Sequence, residues 1–310
     1  PIELAETGKI GRISHNTEAV ELYAEHIAST VGDLSGIKIA VDCANGASFA
    51  TAKNIFAKVN AEATFLNCEP NGTNVNRDCG SLHIAALGKY VKENGFDIGV
   101  AFDGDADRCL AVDEKGEIID GDMFMAILAK RFSEEGRLNK KILIPTIMSN
   151  MGLFKFAEEH KINCYPTKVG DRYVLESLLK FNASLGGEQS GHIIIPEYMT
   201  TGDGELSALM IIESMKLSGK KASELKKVMR VYPQVMVNIE ATAEMKAKLD
   251  DPEVKSYLDI ETRRLEGDGR ILVRPSGTEP VFRVMLEGEK PEEIEAYAKA
   301  IAGLIEKKYH

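Results

Sequence analysis

Short apolar runs typical of buried strands alternate with segments of helical period along most of the chain. Residues 37–41 form a run that is apolar except for Lys38, whereas residues 48–59 repeat their apolar positions with helical spacing. The same patterns predict further strands at 63–66, 97–102, 142–144, 162–165 and 192–195, and further helices at 81–93, 123–132, 153–159, 173–179 and 205–216. Strands and helices in turn, joined by short loops, predict α/β sandwiches with largely parallel or mixed sheets.

The pattern changes near Tyr232 and Pro233. Beyond them we expect strands at 234–239, 270–273 and 281–286 and helices at 242–249 and 292–307, which together indicate a small α+β domain. We therefore predict three units, 16–118, 119–231 and 232–310. Residues 1–15 belong to none of them and resemble the tail of a further domain.

Composition and charge exclude several classes of protein. The 310 residues are 44% hydrophobic and 28% charged, which is typical of a globular protein with a sizeable core. The net charge of −10 and the absence of a basic run argue against a nucleic-acid binder. There is no apolar stretch long enough for a membrane span and no signal-peptide pattern at the start. The five scattered cysteines predict neither a disulfide framework nor a zinc site, and they favour a reducing cytoplasm.

The most informative segment is an acidic loop directly after the predicted strand 97–102. Asp103, Asp105 and Asp107 alternate there, and Gly104 allows a tight turn. Carboxylates this close are costly to ionise together without a cation, and carboxylate oxygens suit Mg²⁺. A solvated acidic turn is the simpler alternative. An EF-hand loop would need Gly where Arg108 stands, and haloacid-dehalogenase phosphatases carry Thr or Val in place of Asp107.

A second loop, 274–280, lies between two predicted strands of the last unit. It places Arg274, Ser276 and Thr278 around Gly277, with Arg283 close by in sequence. A guanidinium fork, hydroxyls and backbone N–H groups together make a good phosphate cradle. A plain Pro/Gly hairpin would need none of these side chains.

Two further loops carry polar groups suited to a sugar phosphate. Glu188, Ser190 and His192 precede an apolar strand and could hydrogen-bond sugar hydroxyls, although a polar turn is an equal alternative. Lys168 and Arg172 lie near the start of a predicted helix. Cations oppose the helix dipole there, which favours an anionic ligand over a surface ion-pair cluster.

Ser14 suggests a nucleophilic serine, but a helix cap explains it better. Ser14 or Asn16 would cap a helix whose first turn carries Glu18 and Glu21, as N-terminal turns prefer.

Taken in order, these loops resemble those of the α-D-phosphohexomutase superfamily. Residues 103–108 match its metal loop, 188–192 its sugar-specificity loop and 274–280 its phosphate loop. Residues 71–81 and 168–174 are similar to the glucosamine branch rather than the mannose or glucose branches. The resemblance runs from about residue 17 to the C-terminus.

The resemblance implies α/β folds for the first three domains of such an enzyme and a TATA-binding-protein-like fold for the last. It also implies a first domain carrying a phosphoserine in a Thr-Ala-Ser-His-Asn-Pro motif. Around Ser14, Arg12 and Ile13 replace Thr-Ala, and Thr17 replaces Pro. We therefore expect a truncated mutase holding domains two to four, without the catalytic serine and inactive alone.

The activity implied for the complete enzyme is the Mg²⁺-dependent interconversion of glucosamine 6-phosphate and glucosamine 1-phosphate, for UDP-N-acetylglucosamine synthesis. An intramolecular phosphotransferase of this kind works through a phosphoserine and a hexose bisphosphate. The implied metal ligands are Asp103, Asp105 and Asp107, and the implied catalytic residues are Arg108, His192 and Lys168. The implied substrate-binding residues are Glu188, Ser190, Arg274, Ser276, Gly277, Thr278 and Arg283.

Three other functions stay open at this point. The chain could belong to a mannose or glucose phosphate mutase, to a non-catalytic phosphosugar-binding module, or to a Mg²⁺-dependent phosphatase. The surface left by a lost domain would also favour homo-oligomers.

Overall fold

The computed structural model describes residues 4–16, 18–241, 260–261, 265, 269–275 and 281–309. The chain divides into two compact units. The first unit comprises the chain up to Ile118 together with Asp203–Ala222, and the second comprises Ile119–Gly202 and the chain from Ser223 onward. Among the described residues, no helix combines the length and the apolar character that crossing a bilayer requires.

These residues form nine α-helices and twelve strands. The helices are α1 (Ala19–Ala28), α2 (Ala52–Lys58), α3 (Ile84–Asn94), α4 (Gly121–Glu134), α5 (Met151–Glu159), α6 (Asp171–Phe181), α7 (Gly204–Ser218), α8 (Ala222–Leu225) and α9 (Pro291–Tyr309). The strands are β1 (Lys38–Asp42), β2 (Glu62–Leu66), β3 (Ile98–Phe102), β4 (Cys109–Asp113), β5 (Ile118–Ile119), β6 (Ile142–Leu143), β7 (Asn163–Cys164), β8 (Gly186–Gly187), β9 (Ile193–Ile194), β10 (Gln234–Glu240), β11 (Gly269–Pro275) and β12 (Val281–Gly288).

The first unit is built on a mixed sheet with strand order β2-β1-β3-β4-β5. Strand β1 pairs in parallel with β2 and β3, and β3 pairs antiparallel with β4. The apolar face of α3, including Leu87 and Val91, packs on Ala40, Ala101 and Val112 of the sheet. Helix α7 is buried from Gly204 to Met215 and packs on β3 and β4. The sequence analysis instead predicted this helix as part of the unit 119–231.

The second unit contains short paired strands and a larger antiparallel sheet. Strands β6 and β7 run parallel, and β8 and β9 run antiparallel. Strands β10, β12 and β11 form an antiparallel sheet in that order. Phe282, Val284 and Leu286 of this sheet share one core with Ile294 and Ile301 of α9. This sheet-and-helix arrangement is the α+β structure predicted for the last segment, and its likeness to TATA-binding protein stays a prediction.

The α/β fold class predicted from the hydrophobic pattern is confirmed, although individual elements differ from the prediction. The predicted helix 48–59 is a 3₁₀ turn (Ala47–Ala50) followed by α2. Strand β8 was missed because glycine carries no strand preference. The predicted helix 242–249 lies outside the described residues.

The predicted cap of α1 is wrong. Its N-cap is Glu18, which makes no side-chain capping bond. The Asn16 Oδ1 atom instead accepts the Glu18 N–H at 3.0 Å. Ser14 lies exposed before Asn16.

Candidate functional site

The acidic loop connects β3 to β4, whose end residues Phe102 and Cys109 pair across the hairpin. Asp103 is buried, Asp107 is half-buried and Asp105 is exposed. One carboxylate oxygen from each of the three lies within 4.8 Å of the others. The structure therefore brings together the three side chains that the sequence singled out.

Backbone hydrogen bonds fix the conformation of this loop. The Arg108 N–H donates to Asp103 Oδ1 at 3.2 Å, and the Ala106 N–H donates to the Asp103 carbonyl at 3.2 Å. The Arg108 Nε atom lies 3.7 Å from Asp103 Oδ2 and 3.8 Å from Asp107 Oδ1. The guanidinium is thus close enough to neutralise part of the negative charge.

Burial and neighbouring charge oppose ionisation at the base of the loop. Burial raises the pKa of Asp103 to about 6, and the carboxylates of Asp107 and Asp105 add to the rise. A cation placed among the three oxygens would remove this repulsion. An all-oxygen donor set of this size fits Mg²⁺, which binds carboxylates and keeps several waters.

Two glycines outside the loop allow it to pack against its supports. A Cβ at Gly46 would lie 2.4 Å from the Gly104 carbonyl oxygen, and a Cβ at Gly204 would lie 2.5 Å from the Arg108 carbonyl oxygen. The Gly204 N–H also donates to the Ala106 carbonyl at 2.9 Å. The loop is therefore held between the turn after β1 and the first turn of α7. Sequence reasoning missed these contacts.

The segment 71–81 supports the loop from a third direction. The Asp42 Oδ2 atom at the end of β1 accepts the Gly80 N–H at 2.9 Å, and the Asn76 N–H donates to the Ala44 carbonyl at 2.9 Å. A Cβ at Gly104 would lie 2.9 Å from Asn76 Nδ2. The segment that resembled the glucosamine branch thus contacts the acidic loop.

Two buried acids flank Gly204. Asp203 caps α7 by accepting the Leu206 N–H, and Glu205 accepts hydrogen bonds from the Thr51 hydroxyl at 2.8 Å. The Tyr23 hydroxyl donates to both carboxyl groups, at 2.9 and 3.1 Å. Burial raises the pKa of Glu205 to about 8, and the Asp203 charge adds to the rise. These surroundings favour the protonated form of Glu205 over its carboxylate.

In the second unit, Glu188 joins two of the predicted loops. Its Oε1 atom accepts the Gly170 N–H at 2.8 Å at the start of α6, where a carboxylate is favourable to the helix dipole. A Cβ at Gly121 would lie 2.1 Å from the Glu188 carbonyl oxygen, so α4 begins directly against this turn. Ser190 is exposed at the tip of the turn, and Lys168 is exposed on the neighbouring loop.

His192 and Arg172 lie in contrasting surroundings. The His192 ring is buried, and its Nε2 atom accepts the Gly202 N–H at 3.1 Å. This bond requires a ring whose Nε2 carries no proton. Arg172 is 81% exposed and pairs with Glu176 at 2.8 Å.

The described part of the phosphate loop places two arginines opposite each other. Arg274 of β11 and Arg283 of β12 are register partners. Burial and the nearby Arg283 charge lower the pKa of Arg274. Two facing guanidinium groups favour an anion. Ser276, Gly277 and Thr278 lie outside the described residues.

A buried ion pair that the sequence did not reveal anchors the antiparallel sheet. The Arg270 guanidinium pairs with the fully buried Glu287 at 2.7 Å and donates to the Ser149 carbonyl at 2.7 Å. Asn150 donates to Glu287 and to the Tyr232 carbonyl. Strands β11 and β12 are thereby fastened to the loop before α5.

Comparison with known proteins shows the family of this chain. Family models of phosphoglucomutase/phosphomannomutase α/β/α domains II and III and of the C-terminal domain match residues 21–116, 120–232 and 221–304. The chain belongs to this family. The resemblance read from its loops is confirmed, and its relatives are phosphohexomutases, which are intramolecular phosphotransferases.

Curated relatives are similar over nearly the whole chain. The phosphoglucosamine mutase of Clostridium tetani is 50% identical over 301 residues, covering 96% of this chain and 67% of the relative. That of Caldicellulosiruptor saccharolyticus is 49% identical, covering 97% and 68%. The chain thus spans about two thirds of the length of these relatives.

Solved structures share the fold at low sequence identity. A phosphoglucomutase/phosphomannomutase family protein from Burkholderia thailandensis has a TM-score of 0.76 at 22% identity, covering 91% of this chain and 64% of its own. N-acetylphosphoglucosamine mutase from Aspergillus fumigatus, in complex with GlcNAc-6P and magnesium, has a TM-score of 0.73 at 20% identity, covering 92% and 68%.

Proposed function

We propose that this chain supplies the metal, sugar and phosphate loops of a phosphoglucosamine mutase, which interconverts glucosamine 6-phosphate and glucosamine 1-phosphate. The observation that carries the proposal is the cluster of three carboxylates in the loop between β3 and β4, in a chain 50% identical to such an enzyme. The three units 16–118, 119–231 and 232–310 remain our proposed division of the chain in sequence order, which the limits of the three family-model matches support. Helix α7, although it lies in 119–231, packs with the first of them.

Asp103, Asp105 and Asp107 are the proposed Mg²⁺ ligands. When bound, the ion would supply Lewis-acid neutralisation of phosphoryl oxygens. The chain's own contribution is to hold three oxygens within 4.8 Å and to fix the loop through Gly46 and Gly204. Arg108 adds a fixed positive charge beside the carboxylates, where phosphoryl transfer develops negative charge.

The second unit carries the proposed sugar and phosphate groups. Glu188 and Ser190 would bind sugar hydroxyls, and Arg274 and Arg283 would bind the phosphate that does not react, with Ser276, Gly277 and Thr278 completing the loop. Lys168 is the better candidate for proton transfer, because it is exposed. Buried His192, with its Nε2 atom bonded to Gly202, suits a role in orienting the turn.

We also propose that the 310 residues bind their ligands without catalysing the mutase reaction. The reason is that no segment in them matches the phosphoserine motif. A coupled mutase assay with Mg²⁺, glucosamine 6-phosphate and a hexose bisphosphate tests this, with Ser14→Ala run in parallel. Activity that disappears in Ser14→Ala would show that Ser14 is the nucleophile and would refute our reading. Release of inorganic phosphate would favour the phosphatase alternative.

The metal site is tested by calorimetric titration of Mg²⁺ into wild type, Asp105→Asn and Asp33→Asn. Asp33 is an exposed aspartate of the first unit whose carboxylate accepts a hydrogen bond from Asn60, so its variant is the matched control. We expect Asp105→Asn to weaken binding by about tenfold or more, which corresponds to about 1.4 kcal/mol. Equal affinities in all three proteins would refute the site.

The proposal also specifies which sugar phosphate the chain prefers. Affinities for glucosamine, mannose and glucose 6-phosphates distinguish the three mutase branches, and the glucosamine compound should bind most tightly.

A cytoplasmic location is proposed because all five cysteines are free thiols. Self-association remains a prediction, tested by analytical ultracentrifugation.

A further inference from the structure

Two cysteines lie side by side where β1 and β2 end. Cys43 directly follows β1, and Cys68 lies two residues beyond β2. The Cys43 N–H donates to the Leu66 carbonyl at 3.0 Å, and the Asn45 N–H donates to the Asn67 carbonyl at 2.7 Å, so the pairing continues past both strands. Neighbouring strands lie about 4.8 Å apart. Disulfides require Cα atoms about 4.4–6.8 Å apart, a range that residues at the ends of neighbouring strands reach.

Both cysteines hydrogen-bond to the same backbone carbonyl. The Cys68 thiol donates to the Leu66 carbonyl at 3.2 Å, the same oxygen that accepts the Cys43 N–H. The neighbouring Cys68 is also among the groups that raise the pKa of the Cys43 thiol. All five cysteines are free, and Cys79, the next thiol in this region, lies 3.8 Å from the Asn45 amide nitrogen.

The two thiols differ in their access to solvent. Cys43 is fully buried, whereas Cys68 is half-buried and lines a cavity of about 490 Å³ together with Asn45, Lys53 and Glu69. A small oxidant can therefore reach Cys68 but not Cys43. Burial and the neighbouring Cys68 raise the pKa of the Cys43 thiol.

We propose that Cys43 and Cys68 form a redox-sensitive pair that an oxidant of the peroxide class converts into an intramolecular disulfide. In the first step, the Cys68 thiolate takes one oxygen from hydrogen peroxide and becomes a sulfenic acid, and hydroxide leaves. In the second step, the Cys43 sulfur displaces that hydroxyl group, the S–S bond forms, and the Cys43 proton leaves with the hydroxyl as water. Both thiols are oxidised, and the peroxide is reduced.

The bond would tie the ends of β1 and β2 together three residues before Gly46. Gly46 contacts Gly104 of the acidic loop, and the Ala47 N–H donates to the Gly104 carbonyl at 2.9 Å. The modification site is thus next to the supports of that loop. The inference itself concerns the thiols and does not depend on the proposed function.

The test is peptide mass spectrometry of the full chain after treatment with hydrogen peroxide, denaturation and alkylation. We expect the alkylatable thiols to fall from five to three, and a linked Cys43–Cys68 peptide pair lighter by two hydrogen atoms. Dithiothreitol should reverse both changes. In Cys43→Ser, oxidation should stop at a sulfenic acid on Cys68 that dimedone traps.

Two further variants make the result decisive. Cys68→Ser, at a half-buried position, should form no linked peptide even if Cys43→Ser folds poorly. The Cys164→Ser variant lacks the half-buried thiol of the second unit. On peroxide treatment it should still lose two alkylatable thiols, as the wild type does. A dimedone-trapped Cys68 in wild type without the linked peptide, or a disulfide between two chains, would overturn the proposal.

Discussion

Replacing Glu205 by glutamine should remove a pH-dependent loss of stability from the first unit. Glu205 is 2% exposed, and its pKa is raised by burial from 4.5 to about 8. A carboxyl group that binds its proton more tightly in the folded state stabilises the fold fully below pH 4.5, and this contribution is lost as the pH rises through 8.

The size of the effect follows from the two pKa values. Between pH 6 and pH 8 the wild type should lose about 2 kcal/mol of unfolding free energy through this group alone. Glu205→Gln cannot ionise, yet its amide oxygen can still accept hydrogen bonds from Thr51 and Tyr23. All other ionisable groups are shared, so the difference between the two proteins isolates Glu205.

The chain contains no tryptophan, so hydrogen exchange of β1 and β3 peptides in urea is a suitable measurement. Stability should fall more steeply with pH in wild type than in Glu205→Gln. The control Glu62→Gln changes an exposed glutamate of β2 and should follow the wild type. Parallel curves for wild type and Glu205→Gln would refute the assignment of a protonated Glu205.

Three other substitutions test the packing around the sites. Gly204→Ala places a Cβ 2.5 Å from a carbonyl of the acidic loop and should weaken Mg²⁺ binding by calorimetry, whereas Gly303→Ala, with open space around its Cβ, should leave binding unchanged. Arg270→Met leaves buried Glu287 without its cation and should cost about 3–5 kcal/mol in urea unfolding, and adding Glu287→Met should recover part of it. Phe282→Ala empties a fully buried site and should cost about 3–5 kcal/mol in the same assay, where a loss below 1 kcal/mol would contradict the core assignment.

The sequence alone was sufficient for most of the helices and strands and for the acidic loop. The spacing of apolar residues along the sequence distinguishes strands such as β3 from helices such as α3, because that spacing follows directly from backbone geometry. Asp103, Asp105 and Asp107 are adjacent in sequence, so a local hairpin suffices to bring their oxygens within 4.8 Å. The family resemblance likewise rested on contiguous motifs.

Only the tertiary structure showed which distant segments support those motifs. Gly204 lies about a hundred residues beyond the acidic loop, yet its missing Cβ is what lets α7 approach the Arg108 carbonyl. Cys43 and Cys68 carry no shared sequence signal, and Arg270 pairs with Glu287 only because β11 and β12 run antiparallel. Periodicity and motifs report interactions between neighbours along the chain. Contacts between distant segments depend on how sheets and helices pack, and that is decided by the whole fold.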